Sequence, residues 1–313
     1  MVSGRITNQY LNQAIINNTM KNQEKFVNLN FQNSTQKKVN NLSDDPISLP
    51  DLFSAKNNLE RIKNYNTNID LNIAEMSTAE NTLDLANKDL QRVFALTTQA
   101  SNELNTKDET TAIANEISSL LSHIVNLANT NYDGKYIFSG ANINTPAYSI
   151  AGNDYTYKGT KDADGYKVQV QVNDNSTMTL GQNGDNIFGE YYVDGGGTQV
   201  STGPIGHINE LLNDLKSTPP NFVNIRAKID VFKKDSENVT YSRAQYGTNI
   251  DILEKIKSQL AQDKISTETR RSNIEDADLI ETASLIKQQE YALQASLQSS
   301  TKMIQNSLLN FMQ

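Results

Sequence analysis

The sequence predicts a mostly α-helical chain with one inserted β domain, and three observations predict it. Ala55, Ile62, Ile69, Met76, Leu83, Leu90 and Thr97 stand seven residues apart. Far downstream, Ile225, Phe232, Val239, Tyr246, Leu253 and Leu260 repeat the same spacing. Between these two stretches the pattern changes to alternation: Tyr166, Val168, Val170 and Val172 are interleaved with Lys167, Gln169 and Gln171. A strict seven-residue apolar repeat keeps one stripe of a helix facing a partner helix. Period-two alternation instead describes a half-buried strand.

The first helix of the pair starts near Pro50, after the turn Ser43-Asp44-Asp45-Pro46. Side-chain oxygens there cap free N–H groups, and Pro stands where no donor is needed. Pro inside a helix costs about 3 kcal/mol, so Pro50 belongs at the helix entrance. Leu52, Leu59, Asn66, Ile73, Glu80, Asn87 and Phe94 fill the alternate slots of the seam. Asn66, as a polar seam position, is expected to accept an Asp far more cheaply than Ile69. The helix runs to about Asn102, and at about 1.5 Å per residue it forms a rod on the order of 70 Å long. A second helix, from about Asp108 to Asn131, carries Ile113, Leu120 and Leu127 alternating with Ile117 and Ile124. The break between the two is short, which predicts an antiparallel pair.

From Asp133 to Gly203 the segments YIFSG (136–140), DYTYKG (154–159), TMTLG (177–181) and EYYVDGG (190–196) predict further strands and turns. Ile205, Ile208, Leu212 and Leu215 form a short helix that Pro219-Pro220 ends. The second long helix runs from about Phe222 to Lys264. A last helix, from about Asn273 to Phe311, gathers Ile286, Leu293, Leu297, Ile304, Leu308 and Phe311 on one face. Residues 1–42 are rich in Asn and Gln and carry only a weak apolar stripe. An isolated arm of that kind is expected to be disordered in the monomer and to fold when neighbours supply the missing face. The organisation is therefore an N-terminal arm (1–42), a helical rod in two parts (43–133 and 222–270), an inserted β-rich outer domain (134–221) and a C-terminal arm (271–313).

Composition agrees with elongated helices around narrow buried stripes. Only 37% of the 313 residues are hydrophobic, and the mean hydropathy is -0.57. The net charge of -8 repels phosphate backbones and anionic membranes, so neither nucleic acid nor membrane insertion is expected. Cys is absent, which excludes disulfides, thiolate nucleophiles and Cys-ligated zinc. No window approaches the roughly 18 apolar residues of a membrane span. MVSGRITNQYLNQAIINNTM has no continuous apolar run of the signal-peptide kind, so export, if it occurs, is expected to use another route.

Catalytic and cofactor chemistry find little support. His123 and His207 have no obvious partners in the sequence, and a triad needs base, nucleophile and orienter together. Gly195-Gly196-Gly197 lacks the Lys-Ser/Thr of a phosphate loop. Asp162-Ala163-Asp164-Gly165 begins like a calcium loop, but a strand follows and no Glu closes it, so a hairpin turn is the expectation. Asp44-Asp45 is explained by capping. No catalytic, cofactor-binding or metal-binding residue is expected, and the chain is expected not to be an enzyme. An adhesin with an aromatic patch on its β domain would draw on Tyr155, Tyr157, Tyr166, Tyr191 and Tyr192, but buried strand tyrosines are the commoner explanation.

Several fragments, in order along nearly the whole chain, resemble the hook-associated protein 3 family of bacterial flagellar junction proteins, relatives of flagellin. They are Arg5-Ile6-Thr7-Asn8; Lys38-Val39-Asn40 before Ser43-Asp44-Asp45-Pro46; Leu90-Gln91-Arg92-Val93 with Gln99-Ala100-Ser101-Asn102; and Asn131, Gly134, Tyr136 and Phe138 to Gly140. Further along come Arg243, Gly247 and Asn249; then Asp276-Ala277-Asp278-Leu279, Leu293-Gln294-Ala295-Ser296-Leu297, and Ser307-Leu308-Leu309 with Phe311. Pro50 and Tyr148 depart from the family pattern. The resemblance implies a flagellin-like rod with a projecting outer domain and no cofactor. It implies export through the flagellar type III channel without a cleaved signal, and an extracellular place at the hook–filament junction. The implied partners are further copies of the chain in a ring, the other hook-associated junction protein, flagellin, and the flagellar export chaperone and apparatus. The residues it marks for assembly are Arg5, Thr7, Asn8, Ser43, Asp44, Asp45, Pro46, Arg92, Arg243, Asn249, Asp278, Leu293, Leu297, Ile304, Leu308 and Phe311. Flagellin itself is the nearest rival.

Overall fold

The computed structural model describes residues 3–161, 169–173, 176–179 and 181–312, with side chains for Tyr10 and, within those ranges, for 13–302. The chain falls into two compact units, Ile62–Ala261 and, combining both ends, Met1–Arg61 with Gln262–Gln313. Two long helices contribute to both: α2 (Leu49–Ala100) and α6 (Phe222–Glu275).

In the 62–261 unit, α3 (Lys107–Ala128) runs antiparallel to α2, as the short break between them predicts, and α6 also runs antiparallel to α2. Residue numbers rise along α2 as they fall along its partners. On the α6 side, Asn87 accepts from Ser236 (2.6 Å), Arg243 reaches Glu80 (2.8 Å) and Asp84 (2.6 Å), and Lys257 meets Asp70 (2.6 Å). On the α3 side, Asp89 meets His123 and Arg92 meets Glu116, both at 2.6 Å. Both predicted seams are buried, from Ile62 to Thr97 on α2 and from Ile225 to Leu260 on α6. The alternate row on α2 needs correction. Asn66, Ile73, Glu80 and Asn87 are only half-buried, and Phe94 is 38% exposed, whereas Ala79, Ala86, Val93 and Ala100 are sealed. These four lie on the face from which Asp89 and Arg92 reach α3, so the third helix moves the second buried row by one position. The polar row at Glu80 and Asn87 is left to bond across to α6.

A capping box starts α3. The Thr106 side chain accepts from the Glu109 N–H (3.2 Å), and the Glu109 carboxylate accepts from the Thr106 N–H (2.7 Å). After α3 comes a small hairpin, β1 (Asn131–Tyr132) and β2 (Lys135–Tyr136), whose two turn residues, Asp133 and Gly134, both have positive φ. That is the turn whose twist suits adjacent antiparallel strands. The main sheet is antiparallel, in the order β3 (Tyr148–Ala151), β4 (Asp154–Tyr157), β7 (Glu190–Val193), β8 (Gln199–Thr202). A separate pair, β5 (Gln169–Asn173) and β6 (Ser176–Thr179), contains the described end of the predicted alternating strand. There Gln169 and Gln171 are exposed and Val172 is buried. The 162–165 turn and residues 166–168 lie outside the described residues.

Helix α4 (Gly184–Phe188) was not expected, and YIFSG yields only the end of a hairpin. The reason is Phe138, which points into the domain centre and packs edge-on against Phe188 at 5.2 Å. Tyr148 and Tyr157 stand beside them (5.4 Å apart), and their hydroxyls donate to the Gly184 (2.8 Å) and Phe138 (2.9 Å) carbonyls. Tyr157 and Tyr191 are thus core residues and Tyr155 is partly buried against the core, as the structural reading of the strand tyrosines expects; Tyr166 lies outside the described residues. Helix α5 (Gly203–Lys216) covers the sheet with Ile205, Ile208, Leu211, Leu212 and Leu215, packing also on α3 and α4.

The second unit holds α1 (Ser3–Thr35) and α7 (Leu279–Met312), which pair with each other. The N-terminal arm is therefore helical, and the C-terminal helix is present as predicted, each offering the other a half-buried face. Nor does α6 stop near Lys264. No Gly or Pro stands between Lys264 and Glu275, and Lys264–Glu268 and Arg271–Glu275 pairs reinforce that stretch. The break falls at Asp276–Asp278, where the Asp278 carboxylate accepts from the Ile280 (2.8 Å) and Glu281 (3.1 Å) N–H groups and starts α7.

The seam fixes where substitutions are costly. Ile69→Ala should lower unfolding free energy by about 2–5 kcal/mol, whereas Leu71→Ala, on the exposed face, should stay within about 0.5 kcal/mol. Urea unfolding followed by circular dichroism would measure both, and equal effects would contradict the assignment. Asn66 is less tolerant than the pattern alone implies. Its Oδ1 is buried without a hydrogen-bond partner, so an Asp there would carry charge into the seam.

Candidate assembly site

The terminal helices share an unusual combination of regular structure and missing core. Half-buried positions on α1 (Ile15, Thr19, Asn22, Phe26, Leu29) recur every three or four residues, and α7 answers with Ile286, Gln289, Leu293, Ser296 and Ser300. The cross-links there are polar: Thr19 with Ser300 (3.3 Å), and Gln289 donating to Asn22 (3.1 Å). Among the described side chains, none of α1 is buried, and in α7 only Thr282 is. Large apolar side chains point outward instead. Tyr10 is 74% exposed, Met20 65%, Ile280 85% and Tyr291 69%, with Val27, Phe31 and Leu297 about half exposed. Outward apolar side chains along a helical pair make it the candidate interaction surface.

One node fastens the pair at its base. Glu275, with its side chain 4% exposed, takes Lys37 (2.6 Å) and Lys56 (2.9 Å), with Arg271 at 3.7 Å. Its carbonyl accepts from the Lys38 (2.7 Å) and Val39 (3.3 Å) N–H groups, while the Ala277 N–H donates to Gln36 (3.0 Å). Burial raises the Glu275 carboxyl, but the lysines outweigh it and hold it below the ordinary value. Sequence reasoning missed this node. No pattern sets Glu275 apart from other surface acids, although it adjoins the Asp276–Leu279 fragment.

The residues marked by resemblance are not gathered into one site. Ser43 and Pro46 are exposed in the loop before α2. The Asp44 carboxylate accepts from the Asn40 (2.8 Å) and Asn41 (2.7 Å) N–H groups, and Asp45 accepts from Ser48 (3.2 Å). Arg92 and Arg243 tie helices together in the other unit, where Asn249 lines a cleft. Asp278 caps α7, on which Leu293 is half-buried and Leu297 exposed. Arg5, Thr7 and Asn8 on α1, and Ile304, Leu308 and Phe311 on α7, have side chains outside the described set. Both histidines do find partners, Asp89 for His123 and Asp235 (2.8 Å) for His207, and both pairs join helices. Among the described residues no cluster could hold a metal ion, and no helix is long and apolar enough to cross a membrane.

Residues 6–143 match the bacterial flagellin N-terminal helical region. Flagellar hook-associated protein 3 of Escherichia coli is 26% identical over 313 residues, covering 96% of both chains. A solved structure of Bacillus cereus FlgL superposes with a TM-score of 0.56 at 22% identity, over 71% of this chain and all of that one. This chain has the flagellin-like fold. Its resemblance to hook-associated protein 3 extends over nearly its whole length. Flagellin of the same E. coli strain, 27% identical, matches 52% of this chain and only 29% of its own.

The Asp44 loop provides an acid test. The N–H groups of Asn41 and Asn40 hold its carboxyl below the ordinary value. A depressed folded pKa makes the carboxylate's contribution complete above the unfolded pKa of about 3.9, and it is lost as pH falls through the lower folded value. The Asn40 and Asn41 amide proton shifts should therefore stay constant from pH 7 down to about 4 and move only below it. A midpoint above about 4 would contradict the caps.

Proposed function

We propose that this chain is the structural subunit of a bacterial flagellum that joins hook to filament and forms the platform on which flagellin polymerises. The observation that carries this reading is similarity to hook-associated protein 3 along 96% of both chains, where the flagellin match covers about half of this one. The fold supplies the means. Residues 1–42 and 271–313 act as assembly arms, whose outward apolar side chains are covered by neighbouring copies. The helical stretches 43–133 and 222–270 serve as the rod, and 134–221 as the outer domain. In this reading copies form a ring, seated on the other hook-associated junction protein on one side and receiving flagellin on the other. A dedicated export chaperone and the flagellar export apparatus carry the chain out of the cell without a cleaved signal. Its role is mechanical, and no catalytic step is assigned to it. The family-like residues, from Arg5 near the start to Phe311 near the end, act by shaping and fastening these segments.

Electron microscopy of a strain lacking the chain, with an assay of flagellin in the medium, tests the proposal. Completed hooks without filaments and monomeric flagellin spilled into the medium are expected. Bare hooks without spilled flagellin would make this chain the filament subunit instead, and normal filaments would overturn both readings.

A further inference from the structure

In the second unit the breaks at the inner ends of both terminal helices fall at one place. α1 ends at Thr35 and α6 at Glu275, and Lys37 pairs with Asp276 in an isolated antiparallel bridge. Gln36, the first residue beyond α1, has a positive φ of 58°, a conformation costly for any residue with a side chain. Its surroundings hold it there. Its carbonyl accepts from Ala277, the Lys38 and Val39 N–H groups reach the Glu275 carbonyl, and the Gln32 side chain donates to the Lys38 carbonyl (3.1 Å). The Glu275 carboxylate locks this bridge to α2: its Oε1 takes both Lys37 and Lys56, and its side chain is 4% exposed. Arg271 Nε stops 3.7 Å from Oε2 and is buried without a hydrogen-bond partner. Three cations converge on one carboxylate, and that single charge keeps them together.

Away from this clasp the α1–α7 contact is thin. No described side chain of α1 is buried, and the links at Thr19–Ser300 and Gln289–Asn22 are neutral hydrogen bonds. Such a contact gains from being made between helices already tied together, where each meets the other at a high effective concentration. Untied, each helix must stand on a weak stripe of its own. We propose that the clasp at Glu275, and not the contact between the helices, decides whether α1 and α7 pair in the single chain. Neutralising Glu275 leaves Lys37, Lys56 and Arg271 facing one another, so the clasp opens by repulsion and releases Gln36. The helices then come apart along their length, although none of their own contacts has been altered. The clasp is a switch at one end of the terminal helices for order at the other. It rests on contacts within the chain and is independent of the reading of these helices as assembly arms.

Thr19→Cys with Ser300→Cys tests it in the full-length chain, where these are the sole thiols. The two positions touch across the pair (3.3 Å), and Thr19 lies about 24 Å along α1 from Thr35. Equilibrated in a buffer of reduced and oxidised glutathione, the ratio of 19–300 disulfide to dithiol measures the effective concentration of one thiol at the other. Adding Glu275→Gln should lower that value about tenfold, the equivalent of one charge-assisted hydrogen bond, while amide exchange along the Ile69–Leu90 seam stays slow. An unchanged effective concentration would overturn the proposal. Should Glu275→Gln also lose seam protection, Lys37→Gln, at a half-exposed side chain, decides by the same ratio: a fall with the seam intact supports the clasp, and no change overturns it.

Discussion

The antiparallel seam between α2 and α6 is the constraint on which the 62–261 unit depends. With so few hydrophobic residues the chain cannot enclose a broad core, so it concentrates them on stripes one side chain wide. Ile69, Leu83 and Leu90 on one helix, and Phe232, Val239 and Leu253 on the other, are sealed by that arrangement. Polar pairs such as Arg243 with Glu80 and Asp84 flank the stripe and fix its register. Being partly exposed and screened by solvent, such pairs add little net stability. Apolar burial therefore supplies the stability, and the charges select which of the possible alignments is adopted.

The same helical geometry has a different outcome at the chain ends. α1 and α7 present one half-buried face to each other and leave apolar side chains on the rest of their surface. The Glu275 node holds their bases through ion pairs and backbone hydrogen bonds, so the pair has a defined start without a sealed interior. Helices of this kind open easily when alone and become stable when further helices cover them. The proposed role, export as a single chain followed by incorporation into a rigid assembly, needs both properties.

What could be read in the sequence follows from the range of the interactions. The seams at Ile69 and Val239 are periodic over many turns, and periodicity survives without knowledge of the partner. The one-position shift to Ala79, Ala86 and Val93 was hidden, because it depends on a third helix lying alongside. Tyr157 and Tyr191 could be expected inside a strand domain, but α4 could not, since Gly184–Phe188 is held by long-range contacts to Phe138 and Tyr148. Among the candidate site residues, Asp44 and Asp45 could be expected to accept local N–H groups. That these belong to the loop at Asn40, Asn41 and Ser48 rather than to the first turn of α2 could not. Nor could the lysine partners of Glu275, being more than 200 positions away in sequence. The helicity of the N-terminal arm was underestimated because its stripe looks weak alone and becomes coherent only against α7.

Hydrogen–deuterium exchange, compared between dilute chain and assembled chain, tests the central claim most directly. The account predicts fast exchange in residues 10–35 and 280–302 of the dilute chain, beside slow exchange along the Ile69–Leu90 and Phe232–Leu253 seams. It also predicts strong protection of both arms on assembly. Arms already as protected in the dilute chain as the seams would contradict the claim that neighbouring copies complete them.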